Sequence, residues 1–147
     1  MSESRLDRFR NAYLRNNALL NRGDLAAAFA WVPPEFEWHV MSDTRLDVLP
    51  PEAPPVLRGR RQVVDYFREM TTAWGWRPKG HEFEDPGDGT IVVRAVGVLR
   101  GRATGLASEV RFTQVWQLDE DGVPTSVRER VDDYFLHGTR RDDATPA

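Results

Sequence analysis

The chain has 147 residues, of which 40% are hydrophobic and 10% aromatic, and it contains no cysteine. This composition indicates one ordered globular domain, and it excludes disulfides, zinc–thiolate sites, iron–sulfur clusters and cysteine nucleophiles. A formal net charge of -3 gives no overall attraction for nucleic acid. Because we recognise neither a signal peptide nor a run of about 18 apolar residues, we expect a cytoplasmic protein that does not associate with membranes.

The N-terminal part of the chain predicts two helices followed by a strand. Apolar side chains recur at helical spacing between Leu6 and Leu20, which indicates a helix over residues 3–22 that is capped by Gly23. Asp24 can begin a second, shorter helix, which a pair of prolines at residues 33 and 34 ends. The segment FEWHVM that follows has the aromatic and β-branched content of a strand.

The middle of the chain predicts a loop and a third helix. Residues 42–59 are rich in proline and show no sustained period, so we expect a loop that is a candidate lid. Spacings of four, three and four between apolar residues then predict a helix from about Arg60 to Trp74. Gly75 and Pro78 are expected to end this helix.

The C-terminal half predicts four strands joined by tight turns. A short strand HEFED and a long strand TIVVRAVGVLR precede two alternating runs, ASEVRFTQVWQL and TSVRERVDDYFL, around an Asp-Gly turn. We therefore predict an α+β fold, with helices packed on one face of an antiparallel sheet. The expected domain covers residues 1–137, and residues 138–147 form a flexible C-terminal tail.

Several short stretches, in this order and spacing, resemble the NTF2-like superfamily and its branch of SnoaL-like polyketide cyclases, ketosteroid isomerases and limonene-epoxide hydrolases. They are NRGDLAAAF, FEWH, RGRRQVVDYF, VRFTQVWQLDEDG and VRERVDDYF. The resemblance implies a cone in which a strongly curved sheet wraps around the long first helix and encloses a deep, mostly apolar pocket. It also implies a homodimer through the sheet. Function must be argued from the pocket residues, because this fold supports many activities.

One face of the first hairpin strand is apolar apart from a glutamine and is expected to point inward. It consists of Val110, Phe112, Gln114, Trp116 and Leu118. In the family resemblance, Gln114 stands near the position of the acid that donates to an oxyanion in ketosteroid isomerases. A carboxamide there could polarise a substrate carbonyl at any pH, or it could satisfy a neighbouring backbone group.

The second hairpin strand has an inward face by the same alternation, made of Val127, Glu129, Val131, Asp133 and Phe135. The ending VDDYF resembles that of limonene-epoxide hydrolases, which implies an acid–base role for Asp133. The alternative is a structural acid paired with a backbone donor or an arginine. Glu129 would lie about 13 Å from Asp133 along an extended strand, so the two cannot share a proton. An Arg-x-Asp pair typical of those hydrolases is missing, which disfavours epoxide hydrolysis.

Two further residues have both a functional and a structural interpretation. His39 follows Trp38 in the first strand, near the general base of ketosteroid isomerases, and is either a base or a hydrogen-bonded wall residue. Tyr13, on the helix that the sheet should enclose, either orients a substrate or only packs. His81 and His137 lack ligand spacing, so we expect no metal site.

These residues support a cofactor-free isomerase, cyclase or dehydratase that acts by acid–base chemistry on a hydrophobic carbonyl compound. The alternative is a non-catalytic ligand-binding or dimerisation domain. The candidate catalytic residues are Asp133, His39 and Gln114, and the candidate substrate-binding residues are Tyr13, Trp38, Phe67, Phe112, Trp116, Glu129 and Phe135. Arg94 is either an outward residue on a dimer surface or an inward partner for a carboxylate.

Overall fold

The computed structural model describes residues 3–40 and 56–136, with side chains as far as Asp132. Over these residues it contains three helices and six strands. They are α1 (Arg5–Asn21), α2 (Leu25–Ala28), β1 (Glu37–Val40), β2 (Val56–Arg58), α3 (Arg60–Ala73), β3 (Trp74–Glu84), β4 (Thr90–Gly101), β5 (Ala107–Leu118) and β6 (Pro124–Leu136). The predicted α+β class is confirmed.

Helix α1 is closed at both ends by local hydrogen bonds that the sequence supplies. At its N-terminus the Ser4 hydroxyl accepts a hydrogen bond of 3.0 Å from the backbone N–H of Asp7. At its C-terminus Gly23 has a φ of +81°, which favours glycine. The amides of residues 23 and 24 donate to the carbonyls of residues 20 and 19, as in a Schellman motif. The predicted helix and its glycine cap are therefore confirmed.

The six strands form one sheet in the order β2-β1-β6-β5-β4-β3. Strands β3 to β6 are an antiparallel meander, and β2 pairs antiparallel with β1. Strand β1, however, pairs parallel with β6, with Trp38 beside Val127. The last strand in sequence is therefore central in the sheet and joins the N-terminal strands to the meander.

Two segments differ from the predictions. Residues 56–58, predicted as loop, form strand β2 and pair with β1. Strand β3 begins directly after α3, and it includes Gly75 and Pro78, which were expected only to end the helix. Proline is tolerated because β3 is an edge strand and its register shifts between Pro78 and Gly80. The predicted lid concerns residues 41–55, which lie outside the described residues.

The inner face of the sheet and the helices enclose an aromatic core. Helix α1 contributes Phe9, whose ring centroid lies 5.6 Å from that of Trp116 on β5 and 6.3 Å from that of Phe83 on β3. Helix α2 has only four residues, of which Leu25 and Ala28 are buried, and Phe29 and Val32 just after the helix are buried as well. Edge-to-face ring pairs such as these add to the free energy gained by apolar burial.

The predicted alternation of faces on β5 is confirmed. Val110, Gln114, Trp116 and Leu118 are buried, whereas Arg111 on the opposite face is exposed. On β4, Arg94 also lies on the outer face, where it forms an ion pair of 3.0 Å with Glu84. The homodimer through this face stays a prediction. None of the helices within the described ranges has the length and apolar character needed to cross a membrane.

Gly97 provides a test of how closely β3 and β4 pack. A Cβ atom at this position would lie 2.5 Å from two ring carbons of Trp76 and 2.8 Å from the carbonyl oxygen of Arg77. We expect Gly97→Ala to lower the free energy of unfolding by about 1–3 kcal/mol, because the indole has to move. Denaturant titration measures this change.

Gly80→Ala is the matched control on the same hairpin. There the added Cβ would meet only Val96 Cγ1, at an ordinary contact distance of 3.8 Å. Equal destabilisation by the two substitutions would contradict the close approach of Trp76 to Gly97.

Candidate active site

A cavity of about 160 Å³ lies between α1, α3 and the inner face of the sheet. Its walls are mainly apolar and aromatic, and the strands contribute Trp74, Trp76, Phe112, Trp116 and Trp38. Helix α1 contributes Tyr13, Asn16, Asn17, Leu20 and Asn21, which lie on one side of the helix at spacings of three and four. An engineered cavity of about 150 Å³ holds one benzene ring, so this one admits a ring-sized group.

Four side chains form a hydrogen-bonded network at the base of the cavity. Gln114 Oε1 accepts from Trp116 Nε1 at 2.9 Å and from the Tyr13 hydroxyl at 3.1 Å. Gln114 Nε2 donates to Glu129 Oε2 at 2.8 Å. Glu129 stands directly opposite Gln114 in the pairing of β5 with β6. The network therefore ties α1, β5 and β6 together.

The chemistry of the partners fixes the orientation of the Gln114 amide. An indole N–H can only donate, so the amide atom facing Trp116 must be the oxygen. The nitrogen then necessarily faces Glu129. Gln114 is only 3% exposed, and an unpaired amide at such a site would cost about 1–3 kcal/mol. The geometry therefore favours a role for Gln114 in positioning Glu129 over a role in polarising a substrate carbonyl directly.

Glu129 has a strongly perturbed acidity. Burial raises the pKa of its carboxyl group from 4.5 to about 7, and the hydrogen bond from Gln114 opposes this rise. The side chain is half-buried and is part of the cavity wall. A carboxyl group with a pKa near neutrality can both accept and return a proton at physiological pH.

Tyr13 remains a hydrogen-bond donor over the same pH range. Burial raises the pKa of its hydroxyl well above the usual value, and the charge of Glu129 adds to this effect, whereas a hydrogen bond with Asn17 opposes it. The ring is enclosed by aromatic neighbours, including Trp116 at 5.9 Å and Phe83 at 5.4 Å between centroids. Tyr13 is thus a fixed, neutral donor to Gln114.

The cavity changes in polarity from base to mouth. Tyr13, Gln114 and Trp116, at the base, are at most 4% exposed. The exposed members of the wall are Asn21, at the end of α1, and Arg102, in the turn between β4 and β5. We call this open end the mouth. Among the described members of the wall, Glu129 and Arg102 are the charged residues. Glu129 pairs with Gln114, which lies opposite Val93 near the start of β4, whereas Arg102 follows the last residue of β4, so the two lie toward opposite ends of the strands.

The structure brings most of the predicted site residues to one cavity. Its wall includes Gln114, Tyr13, Trp38, Phe67, Phe112, Trp116 and Glu129. His39 lies on the opposite face of β1 from Trp38, where its Nε2 is 3.1 Å from Glu37 Oε1. The side chains of Asp133 and Phe135 lie outside the described ones. Their predicted roles stay predictions.

Sequence reasoning missed other members of the wall. Asn16, Asn17 and Asn21 follow Tyr13 at helical spacing on the face that the sheet covers, and this spacing could have identified them. Asn16 is 8% exposed, and its Nδ2 has no hydrogen-bond partner among the described residues. A buried amide N–H without a partner is costly. An oxygen atom of a ligand in the cavity can therefore accept a hydrogen bond from Asn16 Nδ2.

The described residues do not assemble an evident metal site. In the ranges with described side chains, no three His, Asp or Glu residues are grouped closely enough to hold a metal ion. His81 lies beside Tyr13, with 5.5 Å between ring centroids. Burial lowers the pKa of its imidazole, which favours the neutral form. His81 therefore belongs to the aromatic packing under α1.

The model of the SnoaL-like domain matches residues 12–126. No curated protein sequence matches the chain.

Solved structures with the same architecture have low sequence identity to the chain. A Bacillus subtilis protein provisionally assigned as an isomerase has a TM-score of 0.73 and 12% identity, and the match covers 88% of this chain and 90% of that one. An NTF2-like protein from Burkholderia thailandensis E264 has a TM-score of 0.61 and 25% identity, covering 91% and 94%. The epoxide hydrolase/cyclase-like enzyme SalBIII, of pyran ring formation in salinomycin, has a TM-score of 0.63 and 16% identity, covering 87% and 95%.

The acidity of Glu129 predicts a specific pH dependence of stability. Below pH 4.5 the group is protonated in both the folded and the unfolded chain, and the folded state incurs no penalty. Between pH 4.5 and about 7 the unfolded chain loses this proton first, so the stability contributed by the protonated group is lost as pH rises. We expect wild-type protein to lose up to about 3 kcal/mol relative to Glu129→Gln over this interval.

Denaturant titrations of both proteins at pH 4.5, 6 and 8 measure this difference. The substitution keeps an acceptor for Gln114 Nε2. The other carboxylates are present in both proteins, so their contributions to the pH dependence of stability cancel in the difference. A difference that does not change with pH would show that Glu129 titrates normally.

Proposed function

The chain belongs to the SnoaL-like domain family and has the NTF2-like fold, and on that premise we propose that it is a proton-transfer enzyme for small carbonyl compounds. The observation that carries this proposal is a carboxyl group with a pKa near 7 at the base of an apolar cavity, held in place by a hydrogen-bonded glutamine. Groups with such perturbed acidity in clefts are typical of catalytic sites. This proposal agrees with the descriptions of two proteins of the same fold, the epoxide hydrolase/cyclase-like enzyme SalBIII and the Bacillus subtilis protein provisionally assigned as an isomerase.

In the proposed reaction Glu129 is the catalytic base and acid. Its carboxylate removes a proton from the carbon next to a substrate carbonyl, and the C–H electron pair forms an enolate. In a β,γ-unsaturated carbonyl substrate the enolate is conjugated with the C=C bond, so the same carboxyl group returns the proton to the γ carbon. The double bond then lies between the α and β carbons, and the isomerisation is complete without an external reactant. The low polarity of the wall strengthens the electrostatic interactions within the cavity.

The remaining polar residues have supporting roles in this proposal. Gln114 positions Glu129, and Tyr13 and Trp116 position Gln114. Asn16, with its unpartnered Nδ2, donates to the substrate carbonyl as negative charge develops on the oxygen. His39 is not used, because it lies on the other face of β1. The non-catalytic alternative uses the same cavity for binding without proton transfer.

We expect Glu129→Gln to lower kcat at least 100-fold while the protein stays folded, because a carboxamide cannot accept the proton. The measurement is deuterium incorporation from D₂O into a panel of aryl and cyclic ketones, followed by NMR. In wild-type protein the rate should rise with pH and level off above an apparent pKa near 7. Circular dichroism checks the fold of the variant.

Asp133→Asn is the matched variant, since it removes a second carboxylate from the same strand. If Glu129 is the base, this variant keeps its exchange activity; loss of activity in it alone would assign the chemistry to Asp133. If wild-type protein and both variants bind the ketones but none of them catalyses deuterium exchange, the non-catalytic alternative is favoured.

A further inference from the structure

The mouth of the cavity contains a cation whose position is fixed by the backbone. The Nε of Arg102 donates to the carbonyl oxygen of Thr71 at 2.8 Å. Its backbone N–H donates to the carbonyl oxygen of Ala73 at 2.9 Å. Both acceptors lie in the last turn of α3. Arg102 therefore connects the turn between β4 and β5 to the C-terminus of α3.

The guanidinium group lies over a glycine at the start of β3. A Cβ atom built on Gly75 would be 3.7 Å from Arg102 Nη1 and 3.8 Å from Nη2. The Nε–H is already used, so the plane of the fork is fixed. The terminal nitrogens have no hydrogen-bond partner within the described part of the chain. Two parallel N–H donors of this kind match a carboxylate.

The charges of the cavity indicate which end of a ligand would bind there. Among the wall residues that the structure describes, Arg102 is the cation and is exposed, whereas the acidic residue Glu129 lies beside Gln114 at the base. Between them the wall is aromatic on the sheet side, and it carries the amides of Asn17 and Asn21 on the α1 side. The protein as a whole has a net charge of -3. Attraction of an anion to this cavity must therefore be local.

We propose that the substrate is an amphipathic carboxylic acid whose carboxylate binds Arg102 at the mouth and whose apolar, ring-sized end carries the reacting carbonyl to Glu129. This inference rests on the proposed function for the role of Glu129, but the binding of the acid by Arg102 is measurable without turnover. Arg102 is then a specificity-determining residue. If Arg102 only capped α3, its Nε and backbone N–H contacts would be sufficient, and its two terminal nitrogens would have no role.

The test compares two probes of the same shape, 3-phenylpropanoate and the neutral 3-phenylpropanamide. Binding is measured by calorimetry and by NMR titration at pH 8 and low salt. We expect wild-type protein to bind the acid about 10-fold more tightly than the amide, as is typical of a hydrogen bond to a charged group. The preference should decrease between about 20 and 200 mM salt.

The variants separate a specific contact from a general charge effect. Arg102→Gln should bind both probes equally, and Arg102→Lys should keep part of the preference. Arg100→Gln is the control, because Arg100 is exposed in the same hairpin end and its Nη1 bonds to the carbonyl oxygen of Gly105. This variant should keep the full preference.

Four outcomes would overturn the inference. Two concern wild-type protein: equal binding of the acid and the amide, and no binding of either probe at concentrations up to about 10 mM. Two concern the variants: an equal loss of preference in the Arg100 and Arg102 variants, and a full preference in Arg102→Gln. Glu129→Gln should keep the preference for the acid. A preference for the acid in wild-type protein that shows no proton exchange would reject the proposed function and leave the carboxylate subsite in place.

Discussion

The hydrogen bond between Gln114 and Glu129 is the contact on which the rest of the site depends. A carboxyl group inside an aromatic cavity loses most of its hydration, and one good donor recovers part of that loss. The donor is useful only if it cannot rotate away, and Trp116 and Tyr13 prevent rotation by occupying the amide oxygen. Since these residues come from α1, β5 and β6, the acidity of Glu129 depends on the correct packing of all three elements.

The aromatic side chains around this contact have a second effect, on solvent. Trp116 contacts the rings of Phe9, Phe36 and Trp38 at centroid distances below 6 Å. This packing keeps water from the back of the network and leaves the cavity as the route of access. Charged groups of opposite sign at the two ends of such a cavity also give it a direction, because a polar ligand is more stable in one orientation than in the other.

Local sequence patterns predicted the parts of the site that local structure determines. The period-two alternation of β5 correctly assigned Gln114 and Trp116 to the inner face, and the helical period placed Tyr13 on the enclosed side of α1. The pairing register could not be predicted in this way: the register of β5 with β6 shifts between Arg111 and Phe112. A shift of this kind depends on the partner strand.

Features that depend on distant pairing were not predictable. The predicted strand HEFED covers only the C-terminal part of β3. The first part of β3 contains Gly75 and Pro78, which local rules interpret as helix-breaking residues and which its position at the edge of the sheet permits. Because this part of β3 was not predicted as a strand, Trp74 and Trp76 were not identified as members of the cavity wall. Arg102 could not be assigned either, because its position depends on carbonyl groups about thirty residues earlier in the sequence.

The parallel pairing of β1 with β6 has a consequence for the order of folding. During synthesis β1 and β2 emerge early, but their neighbour in the sheet is residues 124–136. The meander of β3, β4 and β5 can form from contacts that are close in sequence, whereas the N-terminal strands must wait for nearly the whole chain. Until β6 arrives, the edges of β1 and β5 are unpaired and open to association with other chains. Slow completion of translation would therefore lengthen the time during which these edges are exposed to other chains.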